Sequence, residues 1–242
     1  MRWLKDQIPR SWRLQAQVMR RQWRDQSSGI AQQFAQEVAE LPLLPYQLEE
    51  VQPVRQSSYY ENKLHNLRLG AQRINQIIIQ PGQVFSYWHV LGAPSAQNGF
   101  REGRNLINGK LQADFGGGLC QLSGILYLLA LRTGLEVLER HHHSIDIYTE
   151  EERFCPLGAD ATVVYGYKDL RLQNNYPFAI AFEIEVQTEA VLARLRSAQE
   201  LTDLPLTFQR EPNSNGVYVR TLRDEKECER EVCISFYQQL ER

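Results

Sequence analysis

The chain has 242 residues, of which 43% are hydrophobic and 23% are charged, a composition typical of a globular protein with one or two domains. Its formal net charge of −2 argues against bulk binding to nucleic acid. No apolar stretch approaches the roughly 18 residues of a membrane span, and no apolar core follows the N-terminal charges as in a secretory signal. We therefore expect a cytoplasmic protein.

The first 25 residues are basic, with seven arginine or lysine residues against Asp6 and Asp25. Residues 1–40 are predicted to be helical, with Ser11 as the capping residue and Pro9 just outside the helix. Apolar residues recur there at roughly helical spacing: Trp3, Leu4, Ile8, Trp12, Met19 and Trp23. We favour packing of this tryptophan face on the main domain. The alternative is peripheral contact of residues 1–25 with an anionic membrane surface.

The remaining elements are predicted in chain order after a helix-breaking Leu-Pro-Leu-Leu-Pro linker at 41–45. Helices are expected over 59–76 and from Cys120 to a stop at Thr133-Gly134. A turn is expected at 81–82 and a hairpin at Asn108-Gly109. Strands are predicted over 77–79, 135–139 with continuation to 148, 163–167, 170–172, 180–186, 216–222 and 231–237.

This order predicts an α+β fold in which N-terminal helices and a central helix pack on a mainly antiparallel sheet. The central helix starts at a Gly-Gly-Gly-Leu-Cys turn. We divide the chain into a basic helical region with its linker (1–45), an α+β domain (46–200) and a C-terminal hairpin extension (201–242).

The segment 116–123, Gly-Gly-Gly-Leu-Cys-Gln-Leu-Ser, is the strongest candidate for a functional site. Gly117 and Gly118 permit a tight turn and leave room for a substrate. Cys120 falls at a helix N-terminus, whose partial positive charge lowers a thiol pKa. Histidines follow at 141, 142 and 143. In a strand, His141 and His143 would share one face while His142 points away.

Several blocks of the sequence resemble the VanW family, which is named for an accessory protein of vancomycin-resistance clusters. They lie in the family's order over about residues 60–187, and are Gly70–Asn75, Pro81–Ser86, Gly116–Gln121, Glu139–Ser144, Asp160–Val163 and Asn174-Asn175. The resemblance implies a cell-envelope setting and peptidoglycan-related chemistry. His143 fills the histidine position of the family's Glu-Arg-x-x-His-Ser motif.

Nucleophilic cysteine catalysis needs a thiolate, a histidine and a group that orients the histidine. Papain-like and transglutaminase-like folds supply these groups in the order cysteine, histidine, orienting residue. Cys120, His143 and Asp160 follow the same order, and this is a likeness of layout alone. Asp146 and Asp169 are the alternatives to Asp160.

Other polar residues near these positions are candidate binding residues. Gln121 and Ser144 could bind substrate or donate to an oxyanion, as could the backbone N–H of Cys120. His141 is a candidate second histidine of the site. Arg73 and Arg140 either hold a substrate carboxylate or form structural salt bridges.

Two functions stay open. In the first, Cys120 attacks an amide or ester carbonyl of a peptidoglycan peptide or precursor, and His143 transfers the proton. The result is amide hydrolysis or transpeptidation without a cofactor. In the second, the protein is a non-catalytic module that binds a cell-wall peptide or glycan. A metal site of Cys120, His141 and His143 is a minor variant of the second.

Cysteine spacing and location add two expectations. The four cysteines fit no zinc spacing and are expected to be free thiols, with a Cys228–Cys233 disulfide as the alternative. Mature peptidoglycan lies outside the cytoplasm. A cytoplasmic enzyme would therefore act on a precursor, on another substrate, or at the membrane surface through its N-terminal helix.

Overall fold

The computed structural model describes residues 9–38, 42–107, 110–146, 153, 155–225 and 228–238, with the side chains of 104–112 left aside. This part of the chain forms an α+β fold, as predicted, with four α-helices and eleven strands. The helices are α1 (Arg10–Ser27), α2 (Tyr60–Ile74), α3 (Tyr87–Leu91) and α4 (Leu119–Thr133). The strands are β1 (Tyr46–Pro53), β2 (Val84–Ser86), β3 (Glu102–Ile107), β4 (Lys110–Phe115), β5 (Glu136–Glu139), β6 (Arg171–Gln173), β7 (Ile180–Val186), β8 (Ala190–Ser197), β9 (Leu206–Asn213), β10 (Gly216–Asp224) and β11 (Glu229–Gln238).

The strands form four small sheets whose pairings are all antiparallel. Their orders are β1-β8-β7, β2-β6-β5, β11-β10-β9 and β3-β4. The last two contain the predicted hairpins, and Ile107 pairs with Lys110 on either side of residues 108–109, which lie outside the described residues. Strand β9 is not predicted from the sequence, because it is polar, mostly exposed and contains Pro212.

Helix α4 is the centre of the fold. All of its residues are buried except Cys120 and Arg132, because the helix is apolar on every side. Helix α2 packs closely against it at Gly70, where a Cβ atom would come within 2.7 Å of Leu122. Gly134 ends α4 in the left-handed conformation, with φ 74°. Cys120 is therefore a partly buried residue at the start of an otherwise buried helix.

Helix α1 is shorter than predicted and presents a different face to the domain. It begins after Pro9, so Ser11 lies inside the helix, and it ends at Ser27 rather than near residue 40. Trp12, Met19 and Trp23 are 68%, 67% and 72% exposed. The favoured packing of the tryptophan face on the domain is therefore wrong for these residues. The remaining members of that pattern, Trp3, Leu4 and Ile8, lie outside the described residues.

The opposite face of α1 docks through charged side chains. Arg21 donates to both carboxylate oxygens of Glu139 at 2.9 and 2.6 Å. Arg171 donates to both oxygens of Asp25 at 2.8 and 2.6 Å. Buried Asp169 accepts from Arg171 at 3.1 Å and lies 3.7 Å from Arg21. Because two bidentate arginine–carboxylate pairs join the helix to β5 and β6, ionic contacts fix its orientation.

Three predicted strands are corrected by the structure. The chain at 77–79 makes isolated bridges, and 163–167 is a turn closed by the Val164–Lys168 bridge. The strand after Leu135 ends at Glu139, which pairs with Arg171, the first residue of β6. After Glu139 the described chain no longer pairs with β6, so His141 and His143 are not on a strand. No helix in the described residues is long and apolar enough to cross a membrane.

Candidate active site

A glycine turn places Cys120 as the second residue of α4. Gly116 and Gly118 have positive φ angles of 81° and 97°, which disfavour other residues. A Cβ on Gly118 would come within 2.7 Å of the Lys63 side chain, and one on Gly103 within 2.8 Å of the Gly117 backbone. The glycines are thus needed for the close packing of this turn.

Asn66 of α2 binds the backbone of the glycine turn. Its side chain is fully buried and its amide donates to the carbonyl oxygens of Gly117 and Arg101, both at 3.0 Å. Its side-chain oxygen accepts the Arg101 N–H at 2.8 Å. Asn66 therefore connects the start of β3 to the residues that precede the cysteine.

We expect Asn66→Ala to lower the free energy of unfolding by about 3 kcal/mol, because one buried and two partly buried hydrogen bonds to the backbone are lost. Asn62→Ala is the matched control, since Asn62 donates to the Glu102 carbonyl at 2.9 Å in a solvent-exposed bond. It is expected to cost less than about 1 kcal/mol. Urea denaturation followed by circular dichroism compares the two variants. Equal losses would contradict the bridging role of Asn66.

The backbone N–H of Cys120 is free of intramolecular hydrogen bonds in the described part of the chain. Its neighbours are engaged, since Leu119 donates to Gly116 at 3.2 Å and Gln121 donates to Gly118 at 2.9 Å. A free N–H at a helix start, close to its own thiol, is suited to stabilise a negative oxygen.

His143 lies on the loop after β5 and is bound by Asp160. Its Nδ1 is 2.6 Å from the carboxylate oxygen Oδ2 of Asp160, which also accepts the backbone N–H of His143 at 2.8 Å. Both side chains are largely buried, with 27% and 13% exposed. Because Nδ1 faces the carboxylate, Nε2 is the ring nitrogen left to interact with Cys120.

Electrostatics couple Cys120 to His143. Burial opposes ionisation of the thiol, but its interaction with the His143 ring lowers the pKa of Cys120 below its ordinary value. Burial likewise disfavours the imidazolium, yet the hydrogen bond to Asp160 and the interaction with Cys120 raise the pKa of His143 well above its ordinary value. The two shifts favour a thiolate–imidazolium pair.

The segment that follows Asp160 forms one wall of the site. The Cys120 sulfur lies 3.7 Å from the Thr162 hydroxyl and 3.8 Å from the Val163 carbonyl. Ser123 donates to the Ala161 carbonyl at 2.6 Å. The wall is therefore fastened to the first turns of α4 beside the sulfur.

Asp160 is in turn held by Arg140 and by the C-terminal sheet. Arg140 donates to the Asp160 carbonyl at 2.8 Å, to its carboxylate at 3.2 Å and to Ser235 of β11 at 2.6 Å. Tyr237 donates its hydroxyl to the same carboxylate and accepts the Gly158 N–H at 3.0 Å. These contacts, together with His143, lower the pKa of Asp160 despite its burial. Arg140 is thus engaged within the protein.

The other predicted binding residues form contacts with other parts of the protein. Gln121 is buried and donates to the Pro53 carbonyl at 2.9 Å. Ser144 is exposed, and its carbonyl accepts from Gln238 at 2.9 Å. His141 bonds Glu139 at 3.1 Å. Arg73 donates to the carbonyls of Leu91 and, at 2.7 Å, Asn98.

The two alternatives to Asp160 are bound elsewhere. Asp146 accepts from Arg153 at 2.9 Å. Asp169 accepts from Ser86 at 2.7 Å and from the Trp88 N–H at 3.0 Å. No group of three metal-ligating side chains occurs among the described residues. All four cysteines are free.

Four residues near the site had no sequence signal that we recognised: Lys63, Asn66, Thr162 and Tyr237. Burial lowers the pKa of Lys63 to about 8. Its aliphatic chain covers Gly118. Thr162 belongs to the Asp160–Val163 block and could have been found there. Tyr237 lies 77 residues from Asp160, a separation that leaves no local pattern.

The α+β domain thus presents a candidate cysteine–histidine site, with the cysteine at a helix start and the histidine bound by a carboxylate. Residues 62–196, more than half of the sequence, match the family model described as VanW like protein. The chain therefore belongs to the VanW family.

Two curated relatives align with part of the chain. The vancomycin B-type resistance protein VanW of Enterococcus faecalis is 29% identical over 162 residues, covering 67% of this chain and 58% of that protein. Uncharacterized protein YoaR of Bacillus subtilis is 32% identical over 120 residues, covering 50% and 38%. The chain thus spans less than two thirds of either relative. No solved structure matches it.

Proposed function

We propose that the protein is a cysteine-dependent acyl-transfer enzyme that cleaves or exchanges an amide bond of a peptidoglycan peptide or precursor. The observation that carries the proposal is the 2.6 Å contact of His143 with Asp160, on a ring that also lowers the pKa of Cys120. In a catalytic site of this type, a carboxylate orients one ring nitrogen of the histidine and the other nitrogen serves the nucleophile.

In the proposed reaction, the Cys120 thiolate attacks the carbonyl carbon and forms a tetrahedral intermediate. The Nε2–H of His143 protonates the departing amine as the carbon–nitrogen bond breaks, which leaves a thioester on Cys120. His143, now neutral, removes a proton from water or from an acceptor amine, and attack by that group releases the acid or a new amide. Asp160 keeps the ring oriented throughout.

Charge develops on the carbonyl oxygen during the attack. The free N–H of Cys120 at the α4 start is placed to donate to it, and the helix N-terminus adds a favourable dipole. The Thr162 hydroxyl, 3.7 Å from the sulfur, is a second polar group within reach of a bound substrate.

The proposed substrate class is inferred from a relative of the protein. One relative is named as a resistance protein for vancomycin, a glycopeptide that binds peptidoglycan precursors. An amide-cleaving or amide-forming site fits such substrates, because their stem peptides are joined and trimmed through amide bonds.

The test uses the purified full chain with two substrates, a soluble nucleotide-linked muramyl pentapeptide and muropeptides released from mature cell wall. We expect mass spectrometry to detect cleavage or exchange of an amide in one of them, together with an acyl adduct on Cys120. Cys120→Ala is expected to abolish both. Cys228→Ala, at an exposed cysteine, is the matched control and should retain full turnover.

Two results would contradict the proposal. Turnover that survives in Cys120→Ala excludes the thiol as nucleophile. Binding of a muropeptide without chemistry, at equal affinity in wild type and Cys120→Ala, supports the alternative of a cell-wall binding module.

A further inference from the structure

Helix α1 carries an apolar stripe that the fold leaves uncovered. Trp12, Met19 and Trp23 are at spacings of seven and four residues, which place them on one face of a helix. Each is about two-thirds exposed or more, at 68%, 67% and 72%. The stripe runs about 16 Å along a helix that is about 27 Å long.

The docked face of the helix lies on the opposite side. Leu14 and Val18 are partly buried and approach Gly166, where a Cβ would come within 2.9 and 3.1 Å of them. Further along the same face, the paired side chains of Arg21 and Asp25 join the helix to β5 and β6. The contacts that seat α1 on the domain therefore fix the tryptophans in an outward orientation.

A row of arginines borders the stripe. Arg13, Arg20 and Arg24 each follow a stripe residue directly, so they lie about 100° around the helix from it. All three are exposed, and no salt bridge among the described residues engages them. Asp25, the one acidic residue of α1, is paired with Arg171. The outward side of the helix is therefore cationic.

We propose that α1 lies flat on an anionic lipid bilayer, with Trp12, Met19 and Trp23 in the interface and Arg13, Arg20 and Arg24 against lipid headgroups. Tryptophan is suited to this position because its ring is apolar while its N–H reaches a polar group. Unpaired arginines beside the apolar stripe complement negative headgroups. The inference is independent of the proposed chemistry at Cys120.

The orientation has a structural consequence for the site. Gly166, Asp169 and Glu139 receive the docked face of α1, and Gly166 lies in the turn that follows Thr162 and Val163. Binding of α1 to a bilayer would therefore hold the segment after Asp160, which forms one wall of the site, at a fixed position relative to the membrane surface.

The test is flotation of the full chain with lipid vesicles, either phosphatidylcholine alone or with about 30% phosphatidylglycerol. We expect at least about tenfold stronger partition into the anionic vesicles, and loss of that preference in about 0.5 M salt. Trp12→Ser with Trp23→Ser, and Arg13→Gln with Arg20→Gln and Arg24→Gln, are each expected to weaken partition at least about tenfold.

Control variants remove the same number of arginines, or two other exposed apolar side chains, elsewhere in the chain. Arg68→Gln with Arg220→Gln and Arg230→Gln, and Leu43→Ser with Ile234→Ser, alter exposed residues outside α1 and should partition as wild type does. The proposal is overturned by equal binding to neutral vesicles, by control variants that lose binding as much as α1 variants do, or by no vesicle binding. Concentration-dependent self-association through the stripe, without vesicle binding, would assign the surface to a second copy instead.

Discussion

Replacing His143 with glutamine is expected to slow alkylation of Cys120 by iodoacetamide at least about tenfold at pH 6, because the thiolate loses its cationic partner. In the wild type the lowered pKa of Cys120 keeps the thiolate populated below the ordinary thiol range. Without His143, the rate should fall about tenfold for each pH unit below roughly 8.5. Peptide mass spectrometry over pH 5 to 10 measures the profile at each cysteine.

The chain contains its own references for this measurement. Cys228 is exposed and serves as the reference cysteine in the same sample. Burial raises the pKa of Cys155 to about 12, so its alkylation should stay slow until strongly alkaline pH. If wild-type Cys120 reacts with the same pH profile as Cys228, the ion pair is absent and the proposed mechanism is wrong.

The same shifts predict a bell-shaped pH dependence of turnover. The acid limb reports loss of the Cys120 thiolate, so it should lie below the ordinary thiol range. The basic limb reports loss of the His143 proton, so it should lie above the ordinary imidazole range. Because the two groups interact, each limb reports a pKa of the coupled Cys120–His143 pair and not of one residue alone.

Asp160→Asn is the second variant with a large expected effect. We expect kcat/KM to fall by about 10² to 10⁴, because the amide N–H can donate to Nδ1 and favour the wrong tautomer of His143, and the uncharged amide does not stabilise the imidazolium. The Cys120 alkylation profile should move toward that of Cys228, since the raised pKa of His143 depends on Asp160. The free energy of unfolding should fall by about 3 kcal/mol, because Arg140 loses a buried charged partner.

Asp146→Asn is the matched control for this prediction. Asp146 is also a carboxylate bound by an arginine, and it is one of the two alternatives to Asp160 that the sequence offers. It should lose stability through Arg153 while leaving the Cys120 profile unchanged. If Asp146→Asn changes the Cys120 profile and Asp160→Asn does not, Asp146 is the residue that orients His143. A stability loss in Asp160→Asn without any change in the alkylation profile would leave Asp160 a purely structural role.

Local sequence was informative where a residue type allows few conformations. The glycine turn before Cys120, the stop of α4 at Gly134 and the final hairpin were all predictable from backbone preferences and apolar runs. The strand predicted beyond Glu139 failed, because strand length depends on a partner, and β6 begins opposite Glu139.

What the sequence determined by itself was the family, the α+β class and the start of a buried helix at one cysteine. Tertiary structure decided which carboxylate binds His143. The order of residues favours Asp160, but only the folded chain shows that Asp160 contacts the ring while Asp146 and Asp169 bond arginines elsewhere. Tertiary structure also decided which face of α1 docks. The helix has a tryptophan face and a second face with Leu14, Val18, Arg21 and Asp25. Glu139, Gly166 and Arg171 contact the second face, which leaves the tryptophans outside.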